Sequence, residues 1–304
     1  GDRTRPPPDG GRLAALLSAR IMAVKMKPPP LPRVSIVTPS FNQGQYLEET
    51  IRSVISQDYP YLEYMIVDGG STDGSRSLIQ KYESRLAWWV SKKDQGQTDA
   101  INKGFARATG QILAWLNSDD TYEPGAVGRA VKALMAHPEA GMVYADCNYI
   151  DEQGHVIGKF PAAQTDYARL RTGYVHIPQQ TMFFRAGLWK EVGPLDPSFY
   201  FAMDYDLWTR LAARAGLHYA AGETWANFRL HGSGKTIAAD DRCWPEMLRV
   251  HYRDGGSFLA PIVAKYYIRK LVAPVWNWRR QRLLLRGRLP ETREAGEAVN
   301  RKGE

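Results

Sequence analysis

Residues 111–120 read QILAWLNSDD, an apolar run that ends in an amide, a hydroxyl and two adjacent carboxylates. The apolar part has the length and composition of a buried strand. Asp119 and Asp120 would then follow the end of that strand, where adjacent carboxylates repel each other unless a cation or hydrogen-bond donors compensate. Two interpretations are open: a site for Mg²⁺ or Mn²⁺, which prefer oxygen ligands, or a cap in which Asp120 or Thr121 begins the next helix.

Strands and helices alternate on both sides of this run. Short connections between alternating strands and helices are the signature of a parallel, doubly wound α/β sheet. Ligands bind such sheets beyond the carboxyl ends of the strands, so the polar residues that follow each strand are the candidate site. The predicted strands are Arg33–Thr38, Tyr64–Val67, Ala87–Ser91 and Gln111–Leu116, and the predicted helices are Gln45–Gln57, Ser75–Glu83, Thr98–Ala108 and Pro124–Ala136.

The alternation is lost in the second half of the chain. The pattern there predicts a hairpin over 143–160 that turns at 152–154, a strand over 180–185, and a helix over 205–215 that Gly216 ends. We expect one domain over 33–239, divided into halves at residue 141, and a helical extension over 240–304. The first 32 residues contain two triple-proline runs and are expected to be a disordered tail. Met26 would make residues 1–25 a leader or an added remnant.

The positive charge is concentrated at the end of the chain. The formal charge is +8, and residues 241–304 contain 14 Lys/Arg against 7 Asp/Glu. A basic segment of this kind favours nucleic acid or an anionic membrane surface as a partner. Prolines and cations interrupt the apolar stretch 258–278, so we expect no membrane span, and no secretory signal is evident. The two widely spaced cysteines fit a reducing cytosol.

Several polar residues have both a functional and a structural interpretation. Asp99 and Lys103, spaced i and i+4, would form a surface ion pair or place the lysine near a phosphate. Asp204 would cap the helix that follows it, or act as a general base toward a hydroxyl group. His231 is a candidate metal or diphosphate ligand, or a structural histidine. His176, Gln179, Gln180 and Trp208 are candidates for binding a second substrate, although the glutamines could simply satisfy backbone groups.

Five segments in chain order resemble family-two glycosyltransferases with the GT-A fold. They are Val34–Asn42 (VSIVTPSFN), Ile66–Ser75 (IVDGGSTDGS), Asp99–Gly104 (DAINKG), Leu116–Asp120 (LNSDD) and Asp204–Leu211 (DYDLWTRL). The likeness covers residues 33–236. It implies an α/β fold with a Rossmann-like, mostly parallel central sheet and flanking helices, followed by a C-terminal helical extension. Residues 33–141 would bind the nucleotide-sugar and residues 142–239 the acceptor.

The resemblance implies roles in donor binding. Pro39 and Phe41 would lie against the nucleotide base, with Ser40 between them in the nucleotide-sugar site, and Asp68 would bind the base or ribose. Asp119 matches the metal-binding residue of the family's Asp-x-Asp motif, while Asn117 replaces the first Asp of that motif and would face the ribose with Ser118. His231 resembles a late histidine found near the diphosphate and metal. Asp99 and Lys103 complete the expected nucleotide-sugar site, and Asp120 is expected to be structural.

The resemblance also implies a reaction. Asp204 would deprotonate the acceptor hydroxyl in a single displacement with inversion, with Mg²⁺ or Mn²⁺ neutralising the departing diphosphate. A UDP-sugar is the favoured donor, and the acceptor would be a saccharide or lipid-linked sugar of bacterial surface polysaccharide assembly, bound by His176, Gln179, Gln180 and Trp208. The protein would be cytoplasmic or peripheral on the inner membrane face through residues 258–288, without nucleic acid.

Two departures and two competing interpretations remain open. Asn117 and Met203 replace acidic residues of the family pattern, which leaves a degenerate transferase as an alternative. A non-catalytic module that binds nucleotide-sugar or nucleic acid through the basic tail is disfavoured by the carboxylates at the strand ends. A nucleotide-dependent oxidoreductase is disfavoured because no G-x-G-x-x-G follows the first strand.

Overall fold

The computed structural model describes residues 31–232, 234–235 and 243–272. Three predictions lie wholly or mostly outside these residues. They are the tail over 1–32, the leader or remnant over 1–25, and the basic, aromatic part of the extension beyond residue 272.

Nine strands and nine helices occur in the described residues, together with two 3₁₀ turns, Glu83–Arg85 and Gln179–Thr181. The strands are β1 (Val34–Ser40), β2 (Leu62–Asp68), β3 (Trp88–Ser91), β4 (Ile112–Trp115), β5 (Thr121–Tyr122), β6 (Ala140–Ile150), β7 (Val156–Lys159), β8 (Phe183–Arg185) and β9 (Gly216–Arg229). The helices are α1 (Gly44–Ile55), α2 (Ser75–Lys81), α3 (Gln97–Phe105), α4 (Ala126–Ala136), α5 (Tyr167–Arg171), α6 (Ala186–Val192), α7 (Met203–Ala212), α8 (Cys243–Arg253) and α9 (261–272).

The strands form one sheet in the order β3-β2-β1-β4-β8-β6-β9-β5, and β7 pairs with β6. Strands β1 to β4 are parallel, which confirms the predicted α/β arrangement of the first half. β8 runs antiparallel to both β4 and β6, whereas β6 and β9 pair in parallel. Since β1, β2, β3 and β4 run in one direction, the polar segments that follow them meet at a single edge of the sheet.

The two faces of the sheet bury separate hydrophobic cores. On one face Ile36 of β1 belongs to a cluster that includes Leu47 and Ile51 of α1. On the other face Val37 of β1 belongs to a cluster that includes Ile101 of α3 and Trp115 of β4. Successive residues of a strand point to opposite faces, so β1 is covered on both sides and every residue of it is buried. This burial on both faces explains why β1 contains no charged residue.

Several predicted boundaries were wrong, most of them in the second half. The helix α7 ends at Ala212, and Gly216 begins β9 instead of ending the helix. Only Phe183–Arg185 of the predicted strand over 180–185 is extended, because the preceding residues form a 3₁₀ turn. Pro124 precedes α4, whose N-cap is Gly125 with a φ of 72°. The hairpin of β6 and β7, with its turn near residues 152–154, is confirmed.

The first part of the C-terminal extension packs on the domain. Val250 of α8 is buried in the same cluster as Leu207 and Leu211 of α7. Arg253 of α8 pairs with Asp206 of α7, which also pairs with Arg210 at 2.8 Å. Within the described part of the chain, we find no helix with the length and apolar character needed to cross a membrane.

Candidate functional site

A cavity of about 960 Å³ opens at the edge of the sheet where β1, β2, β3 and β4 end. Its size falls in the usual range for small-molecule sites, about 300–1,000 Å³. Elements from both halves of the chain and from α8 contribute to its wall. The polar and aromatic lining residues include Ser40, Phe41, Lys93, Asp94, Gln97, Asn117, Ser118, Asp119, Gln179, Gln180, Tyr200, Phe201, Asp204, Trp208, Arg229 and Lys235.

Asp120 is a buried structural residue within the motif that follows β4. Its Oδ1 accepts a hydrogen bond from the backbone N–H of Arg229 at 3.0 Å. Its Oδ2 accepts from the side-chain amides of Gln180 at 3.0 Å and Asn117 at 3.1 Å. Burial, together with the neighbouring charge of Asp119, raises the pKa of Asp120 well above its ordinary value. Asp120 therefore joins β4 to β9 and is not exposed to a ligand.

Asp119 borders the cavity and contacts His231. The Asp119 Oδ2 lies 2.9 Å from Nε2 of His231, while the ring of His231 packs on that of Tyr46 at 4.7 Å. His231 is buried behind Asp119 and does not itself form the cavity wall. In the described ranges no group of three or more His, Cys, Asp or Glu side chains could hold a metal alone. A carboxylate and an imidazole suit a divalent cation that takes its other ligands from phosphate oxygens and water.

Arg229 fixes the backbone of this motif. Its guanidinium is buried above the Tyr46 ring and donates from Nε to the carbonyl oxygen of Asp119 at 2.9 Å. It also contacts the carboxylate of Glu49 and the carbonyl oxygens of Asp151 and Glu152. The hairpin turn, α1 and the end of β9 are thereby connected to Asp119. Arg229 was not among the predicted site residues. Its partners come from three distant segments of the chain, and no local sequence pattern indicates such contacts.

Asn117 lies in a chain of side-chain amides along the cavity floor. Its Oδ1 accepts from Nε2 of Gln97 at 2.7 Å, and its Nδ2 also donates to Oε1 of Gln179 at 3.2 Å. Nε2 of Gln179 donates to the carbonyl oxygen of Trp115, which is the structural interpretation considered for this residue. Ser118 is nearly buried and borders the cavity beside Asn117.

The end of β1 and the residue after it form another part of the cavity wall. Pro39, Ser40 and Phe41 all line the cavity, and the Phe41 side chain is 62% exposed. Ser40 is 4% exposed, and its Oγ has no hydrogen-bond partner in the described parts of the chain. An exposed aromatic ring and an unpaired hydroxyl beside a cavity are features that a bound ligand would cover and satisfy.

Asp68 does not reach the cavity, and Asp94 borders it instead. The Asp68 carboxylate is buried and accepts from the backbone N–H groups of Gly70 and Ser71 and from the Ser91 hydroxyl. These three bonds reach Oδ2, and Oδ1 accepts from the Ser71 hydroxyl. This is the Asx-turn alternative, which accounts for both oxygens of Asp68. Asp94 lines the cavity, and burial raises its pKa. Asp94 was not among the predicted site residues, although it lies in the same stretch as Asp99 and Lys103, just before α3.

Three predicted site residues have surface partners instead of cavity contacts. Lys103 pairs with Asp99 at 2.7 Å, and Asp99 also accepts from the backbone N–H of Gln95. Nδ1 of His176 lies 2.7 Å from the carbonyl oxygen of Pro161. The described cavity wall contains none of these three predicted side chains. The geometry thus fits the surface ion pair for Asp99 and Lys103, and it gives His176 a backbone contact.

Asp204 is the second residue of α7 and borders the cavity. Its Oδ1 accepts from the backbone N–H of Tyr205 at 2.7 Å. Burial raises the pKa of Asp204 from 3.8 to about 6, and Lys235 partly offsets this. A carboxylate with a pKa near neutrality can take a proton at physiological pH. One turn along α7, Trp208 borders the cavity and donates from Nε1 to Sδ of Met182.

Lys235 lies between the amide chain and the start of α7. Its Nζ donates to Oε1 of Gln97 at 3.0 Å and lies 4.0 Å from the centroid of the Tyr200 ring. Burial lowers the pKa of Lys235 to about 8, opposed by the charges of Asp204 and Glu246. Lys235 follows β9 in a segment without a motif, so its contact with the cavity was not predicted.

Two solved structures share this fold. The S. aureus TarS 1–349 structure in complex with UDP superposes with a TM-score of 0.60 at 17% identity, covering 78% of this chain and 71% of that one. The mannosyltransferase PcManGT from Pyrobaculum calidifontis, in complex with GDP-Man and Mn²⁺, gives a TM-score of 0.57 at 22% identity, covering 85% and 77%. The predicted GT-A fold is confirmed by these neighbours.

Sequence comparison agrees with the fold. The putative teichuronic acid biosynthesis glycosyltransferase TuaG of Bacillus subtilis is 37% identical over 107 residues, which cover 34% of this chain and 42% of TuaG. The model of the family described as "Glycosyl transferase family 2" matches residues 35–192, more than half of the chain. The matched range contains β1 to β8 and the motif that ends in Asp119 and Asp120. The chain therefore belongs to glycosyl transferase family 2.

Proposed function

We propose that the protein is a metal-dependent, inverting glycosyltransferase that moves a sugar from a nucleotide-diphosphate sugar, with a UDP-sugar favoured, to a hydroxyl group of a saccharide or lipid-linked acceptor. The observation that carries this proposal is that one cavity is bordered by the Asp119 carboxylate, which contacts His231, and by the Asp204 carboxylate, whose pKa is about 6. A cation site and a proton acceptor are the two groups that this reaction requires.

The donor nucleotide would lie against the part of the cavity wall formed by the end of β1 and Phe41. The exposed Phe41 ring offers a face for a base, and the unpaired Ser40 hydroxyl offers a hydrogen bond. Asn117 and Ser118 supply amide and hydroxyl groups toward a ribose. Asp94 borders the same region and is a better candidate for contact with the base than Asp68, whose oxygens are engaged in its own turn. UDP is the nucleotide bound in the TarS structure.

Asp119 and His231 would hold Mg²⁺ or Mn²⁺, and the ion would neutralise the diphosphate as it leaves. The single carboxylate of Asp119 facing the cavity suits Mg²⁺ and Mn²⁺, because these ions usually take one or two protein carboxylates together with substrate phosphates. Arg229 holds the Asp119 carbonyl, and Asp120 holds the neighbouring backbone, so the Asp119 carboxylate is positioned before a donor binds. The Mn²⁺ complex of PcManGT is consistent with this assignment.

Asp204 would act as the general base. Its carboxylate would take the proton of the acceptor hydroxyl as the oxygen attacks the anomeric carbon from the face opposite the diphosphate, so the bond to the diphosphate oxygen breaks with inversion. Lys235 contributes a positive charge that favours the ionised form of Asp204. Trp208, Gln179 and Gln180 border the same side of the cavity and would contact the acceptor.

We also propose that the acceptor is a surface polysaccharide or a lipid-linked precursor, as the name of TuaG suggests. Just before α9 and within it, the chain exposes Phe258, Leu259 and Leu271, which are 73%, 79% and 78% accessible. Lys265, Arg269 and Lys270 lie among them. Apolar side chains beside cations are typical of a segment that contacts an anionic membrane surface. The triple variant Phe258→Ser, Leu259→Ser, Leu271→Ser should no longer float with anionic vesicles. With neutral vesicles the variant should behave like the wild type.

Calorimetric titration with UDP tests the metal and nucleotide sites together. In the presence of Mn²⁺ we expect binding that weakens at least about tenfold when the ion is chelated or when Asp119 is changed to Asn. Asp99→Asn serves as the matched control, because this carboxylate pairs with Lys103 outside the cavity. UDP binding that ignores both the ion and Asp119 would refute the metal assignment. Binding without turnover of any UDP-, GDP- or dTDP-sugar would favour the non-catalytic alternative.

A further inference from the structure

The segment before α7 is held by a carboxylate from the C-terminal extension. Oε1 of Glu246 accepts from the backbone N–H of Tyr200 at 3.0 Å, and Oε2 accepts from those of Phe201 at 2.7 Å and Ala202 at 2.8 Å. Glu246 lies in α8, more than 40 residues along the chain from these partners. One half-buried side chain thus accepts three consecutive N–H groups of the turn that leads into Asp204.

These N–H groups lie at a helix start that has no capping side chain of its own. The N-cap of α7 is Ala202, which has no side-chain hydrogen bond to offer. The first N–H groups of a helix and those just before it lack partners within the helix. A carboxylate stabilises such a terminus by accepting hydrogen bonds and by its favourable interaction with the helix dipole. Glu246 therefore supplies, from α8, the acceptors for the N–H groups that immediately precede this uncapped helix.

A second residue of α8 holds the same segment. The Arg249 guanidinium lies 3.6 Å from the centroid of the Phe199 ring and donates to Oγ of Ser198 at 2.8 Å. From the other side, Oγ1 of Thr98 contacts Sδ of Met203 at 3.0 Å. The turn before α7 is consequently fixed between α3 and α8. Within this turn, the ring of Tyr200 lies beneath Nζ of Lys235. The turn therefore also forms part of the cavity wall.

We propose that Glu246 is a positioning residue for Asp204, which makes α8 part of the reaction centre and not an appendage to it. The inference rests on the proposed role of Asp204 as the general base. Glu246 would act in two ways: its hydrogen bonds set the position of the Asp204 carboxylate at the start of α7, and its negative charge acts on the proton affinity of that carboxylate. Displacement of a reacting group by about 1 Å can lower a rate about a hundredfold.

Opposite charges act on Asp204 from two elements. Glu246 of α8 raises the pKa of Asp204, and Lys235, which follows β9, lowers it. On α7 itself Asp206 is paired with Arg210 and Arg253, so this carboxylate is compensated by two cations. Removing the Glu246 charge should therefore lower the pH at which Asp204 ionises, and removing the Lys235 charge should raise it.

The test is the pH dependence of donor turnover in Glu246→Gln, measured with UDP-sugar as UDP release to water or acceptor. We expect kcat to fall about tenfold or more, with the KM for donor within about threefold of wild type, and the acidic limb of the profile to shift toward lower pH. Lys235→Met should shift the limb toward higher pH. Arg249 holds the same turn without accepting its N–H groups. Arg249→Gln should therefore reduce stability without moving the acidic limb.

Two results would overturn the proposal: a Glu246→Gln enzyme with wild-type kcat and pH profile, or one whose activity falls only in proportion to its folded fraction. If that variant does not fold, Glu246→Asp keeps the charge on a shorter side chain. It should lower kcat without shifting the limb, and wild-type kcat in Glu246→Asp would equally count against the proposal. An active Asp204→Asn enzyme would instead remove the proposed base itself, so the two failures are distinguishable.

Discussion

Replacing Asp204 by Asn should abolish catalysis and at the same time stabilise the folded protein at neutral pH. The pKa of Asp204 rises from 3.8 to about 6, chiefly because the carboxylate loses water on folding. The ionised form is therefore less favourable in the folded chain than in the unfolded chain, and folding at neutral pH carries that cost. An asparagine has the same shape, and its Oδ1 can still accept from the N–H of Tyr205.

The size of this gain follows from the pKa shift. A shift of about two units corresponds to about 3 kcal/mol, because each unit is about 1.4 kcal/mol. Asp204 borders an open cavity, where solvent screening reduces the cost, so we expect about 1–2 kcal/mol. The cost is fully present above the folded pKa of about 6 and disappears as the pH falls toward 3.8, where both states bind the proton. The stability advantage of Asp204→Asn should therefore grow between pH 4 and pH 7 and then level off.

Urea unfolding of both proteins at several pH values measures this difference. Asp206→Asn is the matched control, because Asp206 lies two residues along α7 and is buried between Arg210 and Arg253. Loss of that carboxylate leaves two cations uncompensated and should destabilise the protein by about 3 kcal/mol or more. Two results would contradict the cost of burying the Asp204 charge. One is an Asp204→Asn variant less stable than wild type at pH 8, and the other is a difference in the free energy of unfolding that does not change with pH.

Three other changes test the packing around the site. Arg229→Met should lower the free energy of unfolding by about 3–5 kcal/mol in urea titrations, since the buried guanidinium serves Glu49 and three carbonyl oxygens; an unchanged midpoint would contradict its role in fixing Asp119. Gly104→Ala should cost about 1–3 kcal/mol, because its Cβ would lie 2.5 Å from Cγ1 of Val37. Gly128→Ala, in a helix with no atom within 4 Å of the new methyl group, should instead raise the thermal midpoint by stabilising α4 by about 0.5–1 kcal/mol, and equal effects of the two alanines would refute the packing argument.

The first half of the fold could be predicted because its signals are local. Each of β1, β2, β3 and β4 is a short run bounded by turn residues and followed by an amphipathic helix. The strand β9 has no such signal: it contains Gly222, its exposed and buried residues follow no alternation, and its pairing with β6 shifts register. Its extended conformation depends on β6, whose paired residues lie 75–79 positions earlier, and no local pattern indicates this partner.

The same distinction applies to the site. Asp119 and Asp204 could be predicted because each follows or begins a recognisable element and belongs to a family motif. Asp94 and Lys235 were not predicted, and only the packing of β3 and β9 around one cavity brings them there. Glu246 reaches the turn before Asp204 only because α8 packs beside it. Conversely, Asp68 matches a family position, but its carboxylate is engaged by the turn that follows it. A motif identifies the element on which a residue lies, whereas long-range packing determines what its side chain contacts.

The assignment of Asp204 as the general base is tested by measuring donor turnover and donor binding in Asp204→Asn. The assay would follow UDP release from a UDP-sugar with Mn²⁺ present, and calorimetry would measure binding of the same donor to the same protein. We expect the variant to bind the donor within about threefold of wild type and to release no UDP above the uncatalysed rate. Only proton removal from the acceptor has been lost in this variant. Turnover near the wild-type rate in a variant that binds the donor normally would contradict the assignment of Asp204 as the general base.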